Sequence, residues 1–416
     1  MKRDLRVISA LMIAILIPWL LFASCVAAAE DDLSEIIHKI RDKRADWVAG
    51  DTSISRLSPS ERQKRVGLRK PVLTDEEDQS AVAEQTFLAT VGAPASYDWR
   101  SSTGTYAGNF VTPVKDQGNC GSCWAFATTA ALESQVLIGN NTPGQNNVLN
   151  LSEQLLVSCG GAGNCGGGYI DKASNYIRDM GLPADSCFPY TATNSSCAQA
   201  CTNWSNNAYH INGWHWVATT SPTVDALKNA LVIYGPLVTT MNVYADFFNY
   251  KSGVYSHVSG TYQGGHGILL VGYNDAGQYF IAKNSWGTGW GMSGFFQIAY
   301  SQLTNVVGFG HYTIADEGYD GGGTPPLPPA CTYSLSPTKN TFTYASGSGT
   351  VLVSTQGTCS WTAVSNVSWI SISAGNTGIG NGKVTYKVAT NNSRTQRTGT
   401  LTIAGQTFTV TQAAHR

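Results

Sequence analysis

Gln117-Gly118-Asn119-Cys120-Gly121-Ser122-Cys123-Trp124-Ala125-Phe126 is a turn-rich stretch that runs straight into an apolar segment. From Cys123 to Ile138 only Thr128, Thr129, Glu133, Ser134 and Gln135 carry polar side chains, which predicts a buried helix. Cys123 then stands at a helix start, where unpaired N–H groups and the helix dipole favour negative charge. The thiolate is the nucleophilic form of cysteine, and few other environments lower its pKa. Position alone leaves two readings open: a reactive thiol, or a structural cysteine in a disulfide or the core.

The 416-residue chain has a formal net charge of -1, which indicates no charge-driven nucleic-acid or membrane partner. Residues 1–29 have a basic start, an apolar run and a small-residue end at Ala27-Ala28-Ala29, the pattern of a secretory signal. Lipidation at Cys25, after Leu21-Phe22-Ala23-Ser24, is the rival reading. No later apolar run is long enough to span a bilayer. Export admits disulfides. Without Cys25, nine of the ten cysteines remain. An odd number implies a free thiol, and parity moves Cys123 toward that role.

Residues 30–92 are charged and free of cysteine, with a helical pattern at Ile36, Ile37, Ile40 and Trp47. Ser58-Pro59-Ser60-Glu61 signals a second helix start. Such a segment is a spacer or a removable prosegment. Residues 93–318 read as one α+β domain. Its first half holds the Cys123 helix and a helix opened by Ser152-Glu153; its second holds strands at 237–243, 267–273, 279–283 and 295–298. A cleft between the halves is expected. Residues 319–330 form a Gly/Pro linker. Residues 331–416 alternate short β-type runs with turns, an all-β sandwich pattern. That module has no Asp or Glu, which excludes a carboxylate-built Ca²⁺ site.

A thiol nucleophile needs a base, a group that orients the base, and oxyanion donors. His266 is framed by Gly264-Gly265 and Gly267 at the entry to an apolar strand, and glycines let a substrate backbone come close. Asn284 follows the 279–283 strand, and its amide can fix an imidazole without adding charge. Trp286 beside it can shield that bond from water. Gln117, close before Cys123, can offer an oxyanion donor beside the Cys123 backbone N–H.

These elements, Gln117…Cys123-Trp124-Ala125-Phe126, Gly265-His266-Gly267 and Lys283-Asn284-Ser285-Trp286-Gly287, resemble the papain family of cysteine peptidases, in the family's order. The resemblance implies a two-lobed fold, a helical lobe and a β-barrel-like lobe with the cleft between. It implies Cys123 as nucleophile, His266 as acid and base, Asn284 as its orienter, Gln117 in the oxyanion hole and Trp286 as cover. It further implies a protein or peptide substrate, an endopeptidase made as a zymogen, and no metal or cofactor. Cys165-Gly166-Gly167-Gly168-Tyr169 resembles the family's substrate-pairing segment. By the same match Tyr169, Ile170, Thr240, Gly264 and Gly267 line an apolar pocket, and Gly265 stands where relatives often carry Asp or Asn.

The family pattern pairs Cys120 with Cys165 and Cys159 with Cys197, leaving Cys187–Cys201 and Cys331–Cys359. Pairing among 159, 187, 197 and 201 stays open. Val307 replaces a cysteine of the usual second-lobe bridge. The C-terminal module resembles BACON-like domains of secreted bacterial proteins, implying targeting or a carbohydrate or glycoprotein ligand; Trp361 and Trp369 read as core before they read as sugar platforms. A monomeric, secreted protein is expected. A surface-binding scaffold and a transglutaminase-like acyltransferase are the competing classes.

Overall fold

The computed structural model describes residues 33–319, 333–355 and 360–416. The expected signal, Cys25, most of the Gly/Pro linker, and Cys331 and Cys359 lie outside the described residues. The first helix, α1 (Leu33–Lys43), buries Ile36 and leaves Ile37 exposed. Trp47, read from the sequence as part of a helix, instead opens β1 (Trp47–Ala49). This short strand pairs antiparallel with the strand Tyr250–Tyr255. There the Trp47 indole packs edge-on against Tyr255 at 5.2 Å and donates to the Ser256 carbonyl at 3.0 Å. That aromatic contact decides the conformation over local periodicity.

Helix α2 (Pro59–Gln63) starts with the expected capping box, Ser58 and Glu61 each satisfying the other's backbone N–H. The helix α3 (Asp75–Leu88) has no apolar periodicity in the sequence, only the Thr74…Glu77 start signal. Its residues show no apolar stripe, and it buries only Ala81 and Leu88. A Thr74–Glu77 capping box and four acidic residues in the first turn start it. Its side chains then dock on the sheet lobe: Asn229 donates to the Leu88 carbonyl at 2.7 Å and Tyr234 to Glu84 at 2.9 Å.

After β2 (Ser96–Asp98), α4 (Cys123–Asn140) forms the spine of the helical lobe, buried from Cys123 through Leu137. Helix α5 (Glu153–Cys159) is capped by Ser152, as its sequence predicts. β3 (Gly163–Asn164), β4 (Gly167–Gly168) and α6 (Ile170–Asp179) complete this lobe. The sheet lobe holds β5 (Gly213–Ala218), α7 (Val224–Tyr234), β6 (Leu237–Tyr244), β7 (Tyr250–Tyr255), β8 (Tyr262–Asn274), β9 (Tyr279–Lys283), β10 (Phe295–Ala299) and β11 (His311–Glu317). Strand order is β1-β7-β10-β9-β8-β6-β11-β5, with β2 added to β8. Strand β8 begins at Tyr262, earlier than expected, because β6 pairs with its glycine-rich start: Met241 opposes His266 and Val243 opposes Gly264. His266 therefore lies inside a strand, where ladder pairing fixes its backbone.

The lobes meet across α4 and β8. Beside that contact Lys115 reaches Glu133 at 2.9 Å and Glu153 at 2.6 Å, and Lys283 donates to Thr112 at 2.9 Å. Burial alone would discharge Lys115, but the two carboxylates outweigh it and hold it protonated. The structure contains the bridges Cys120–Cys165, Cys159–Cys197 and Cys187–Cys201, and Cys123 is the free cysteine among the described residues. Val307, which the family resemblance puts in place of a bridging cysteine, is fully buried in the apolar core.

The C-terminal module is a sandwich of two sheets. One orders β12 (Ser334–Ser336), β14 (Gly347–Ser354), β18 (Gly382–Val388) and β16 (Ile370–Ala374). The other orders β13 (Lys339–Phe342), β20 (Gln406–Gln412), β19 (Arg397–Ile403), β15 (Ser360–Ser365) and β17 (Thr377–Ile379). Inward residues alternate along the strands, and Trp361 joins the core with its indole donating to the Gly380 carbonyl at 2.8 Å.

Trp47→Ala removes a buried indole and its hydrogen bond, and is expected to cost about 3–5 kcal/mol of local stability. Hydrogen exchange resolved by peptide should show residues 33–49 losing protection while α4 keeps it. Unchanged exchange would show that β1 is held by other contacts.

Candidate active site

Helix α4 delivers Cys123 to the lobe boundary. Its N-cap, Ser122, makes no side-chain cap bond and instead shares a 2.7 Å hydrogen bond with the Tyr190 hydroxyl. The first-turn N–H groups therefore face the thiol region without a capping oxygen. Strand β8 comes so close that a Cβ at Gly267 would lie 3.3 Å from the Cys123 carbonyl oxygen and the Trp124 Cα. Backbone N–H groups around it, those of Gly267, Gly67 and Trp124 among them, act to lower the thiol pKa.

His266 is fully buried. Its Nε2 bonds to Asn284 Oδ1 at 2.7 Å, and Nδ1 has no partner among the described residues. Trp286, also fully buried, covers this pair with its ring 4.7 Å from the imidazole. Gln117 is held from both ends: Ser285 Oγ donates to its Oε1 at 2.7 Å, and its Nε2 donates to the Cys120 carbonyl at 2.9 Å. Cys123, His266, Asn284, Gln117 and Trp286, far apart in the chain, thus form one cluster.

The cleft is occupied by the chain's own residues 65–69. Gly168 N–H donates to the Gly67 carbonyl at 2.9 Å and Arg69 N–H to the Gly168 carbonyl at 2.8 Å. The N–H groups of Gly67 and Leu68 donate to the Gly265 carbonyl at 3.1 and 3.0 Å. Leu68 runs parallel to Gly168. A side chain at Gly67 would collide with the Gly121 carbonyl, so glycine alone fits beside the thiol. On the other side Gly265 lets Leu68 approach, and a Cβ there would sit 3.0 Å from the Leu68 carbonyl oxygen. The sequence predicts that a prosegment covers the cleft, but not which residues enter it, because Val66-Gly67-Leu68 carries no cap, turn or periodic signal.

Burial changes the expected protonation. The helix start was expected to lower the Cys123 pKa; burial instead pushes the thiol up to about 11, outweighing the N–H donors on its sulfur. Burial likewise pushes His266 down to about 4, against the raising effect of its bond to Asn284. With the plug in place the pair is thiol and neutral imidazole, not thiolate and imidazolium.

Around the plug, Gly167 and Gly168 flank Gly67 and Leu68. Val66 packs against Gly264, and Arg69 lies over the Tyr169 ring at 5.9 Å. Thr240 sits opposite Gly267 in the β6–β8 ladder and donates to the His311 carbonyl at 2.5 Å. Ile170 is fully buried at the start of α6.

The family model described as papain family cysteine protease matches residues 93–316, and one described as viral BACON domain matches residues 333–415. The chain belongs to the papain family of cysteine proteases. It is 38% identical over 212 residues to a cathepsin L-like proteinase of Fasciola hepatica, covering 50% of this chain but only 60% of that relative. It is 33% identical over 304 residues to cathepsin B-like CP3 of Giardia intestinalis, covering 71% of this chain and 97% of that one. Among solved structures, digestive procathepsin L 3 of Tenebrio molitor larval midgut superposes with a TM-score of 0.52 at 28% identity, covering 68% of this chain and 87% of that one. Among the described residues no helix is long and apolar enough to cross a membrane.

The depressed His266 pKa sets the sign of a pH effect. Opening the cleft lets His266 take up a proton near its ordinary value of 6.5, whereas the covered state resists until about 4. The cover is therefore fully stabilised above pH 6.5 and weakens as pH falls through that window. In a Cys123→Ala chain, amide protection factors at 66–69 should fall between neutral pH and pH 4, and less so when His266→Gln is added. Protection independent of pH in both chains would contradict this linkage.

Proposed function

We propose that this chain is the precursor of a secreted cysteine endopeptidase, with Cys123 as nucleophile and His266 as its acid and base. The supporting observation is the cluster itself: a free thiol at the α4 N-terminus, with His266 fixed by Asn284 under Trp286 and Gln117 clamped alongside. In the uncovered enzyme Cys123 Sγ gives its proton to His266 Nδ1, the ring nitrogen left without a partner. The thiolate attacks a peptide carbonyl, and the oxyanion takes donors from the Cys123 N–H and Gln117 Nε2. His266 then protonates the leaving amine, and water hydrolyses the acyl-enzyme with His266 as base. Asn284 Oδ1 holds the ring through Nε2 in one orientation, leaving Nδ1 to take and give the proton.

The proposed organisation is a signal over 1–29, a prosegment over 30–92 removed near residues 92–95, a peptidase domain over 93–318, a linker over 319–330 and a sandwich module over 331–416. Residues 66–69 in the cleft support the zymogen reading, since nothing else can bind there until they leave. Gly167, Gly168 and Gly265 would pair with substrate backbone, and Tyr169, Ile170, Thr240, Gly264 and Gly267 would bound an apolar pocket; Val66 and Leu68 against Gly264 and Gly265 support an apolar preference. Three disulfides among the described residues favour an oxidising, extracellular location. The C-terminal module serves targeting or glycan binding, and the enzyme acts as a monomer without a cofactor.

Activated wild type should hydrolyse casein and fluorogenic dipeptides, and Cys123→Ala should abolish this. Gln117→Ala should lower kcat about 10²–10³-fold, the usual effect of losing one oxyanion donor. Equal hydrolysis by Cys123→Ala would reject the proposal.

A further inference from the structure

The plug carries information on the side of the cleft beyond the thiol, away from Gly168 and Tyr169. Arg65 precedes Val66-Gly67, and its carbonyl accepts the Trp286 indole N–H at 3.0 Å. Its guanidinium Nη1 pairs with Asp116 Oδ1. The Arg65 side chain is 8% exposed, while Asp116 remains 53% exposed even with its partner in place. This is a bound arginine, held at once by its backbone and by its side chain.

Asp116 is well prepared for that contact. The same Oδ1 accepts the Gly118 N–H at 2.9 Å, which pins the carboxylate in the turn leading to the thiol. Backbone pairing of Asp116 with Trp286, and of the Gln117 N–H with the Ser285 carbonyl at 2.9 Å, ties that turn to the tryptophan loop. The residue next in sequence is Gln117, whose amide stands at the oxyanion position proposed above. When residues 65–69 depart, the carboxylate loses its guanidinium and faces the open cleft. A fixed anion next to a cleft favours a cationic side chain.

We propose that Asp116 is a specificity-determining residue that selects substrates with arginine or lysine within the first two residues after the scissile bond. The inference rests on the protease reading. Arg65 occupies the position in the covered enzyme, two residues from the Gly67 that touches the thiol. Arg65 sits in the turn after α2, its N–H donating to the Arg62 carbonyl at 2.9 Å, so its reach from the thiol is at most two residues of chain beyond Gly67. A partly exposed ion pair of this kind contributes up to about five-fold in kcat/KM.

The test is a pair of quenched peptides identical except for Arg or Gln at the two positions after the cut. Activated wild-type and Asp116→Asn enzymes cleave both, with active sites titrated by an epoxide. Asparagine keeps the Oδ1 that accepts from Gly118, so the turn survives while the charge is lost. Wild type should prefer the Arg peptide about five-fold, and the ratio should fall toward one in Asp116→Asn. Should that variant fail to fold, the wild-type ratio measured from low to high salt replaces it, and it should decline with screening. Equal cleavage of both peptides by wild type overturns the inference and leaves the protease reading standing. Cleavage of neither by processed wild type overturns both.

Discussion

The close approach of β8 to the start of α4 is the constraint on which this molecule depends. Gly267 lies against the Cys123 and Trp124 backbone, where an added Cβ would sit 3.3 Å from the Cys123 carbonyl oxygen and the Trp124 Cα. The approach brings the strand that carries His266, one residue before Gly267, against the start of α4. It requires a long β8, paired on one side with β6 and on the other with β9, which ends at Lys283 and delivers Asn284. Buried contacts flank it: Lys115 ties α4 to α5 through Glu133 and Glu153, and Lys283 at the end of β9 reaches Thr112.

The covering segment exploits the same geometry. The plug pairs with the backbone of Gly168 and Gly265, the positions proposed for substrate. It also removes water from the thiol and the imidazole, which holds both in their neutral forms. Inhibition is thus steric and electrostatic together: the cleft is filled, and the charged pair that would attack is disfavoured until it is solvated. The aromatic seat of Trp47 on β7 and the docking of α3 on α7 anchor the two ends of this plug.

Much of this was legible in the residues. The α4 helix was readable because Cys123 to Ile138 is almost wholly apolar, and α2 and α5 because their caps are spelled out by Ser58…Glu61 and Ser152. Strand β9 was read to the residue, since Tyr279 to Lys283 is bounded by turns. The misses share a cause. Trp47 is extended because Tyr255 and the Ser256 carbonyl lie across from it, and β8 reaches back to Tyr262 because β6 is there to pair with. Tertiary partners of this kind leave no local pattern. Helix α3 has no apolar stripe because it buries so little of itself. Among the site residues Cys123, His266, Asn284 and Gln117 were nameable from chemistry and order. Asp116 and residues 65–69 were not, because their meaning lies in what they touch.

One measurement bears most directly on the account: mass spectrometry of the chain after exposure to an active-site-directed epoxide, before and after processing. The account predicts no adduct on the intact chain at neutral pH and one adduct, on Cys123, once residues 65–69 have left the cleft. An adduct on Cys123 of the intact chain at the processed rate, or none on the processed enzyme, would contradict it.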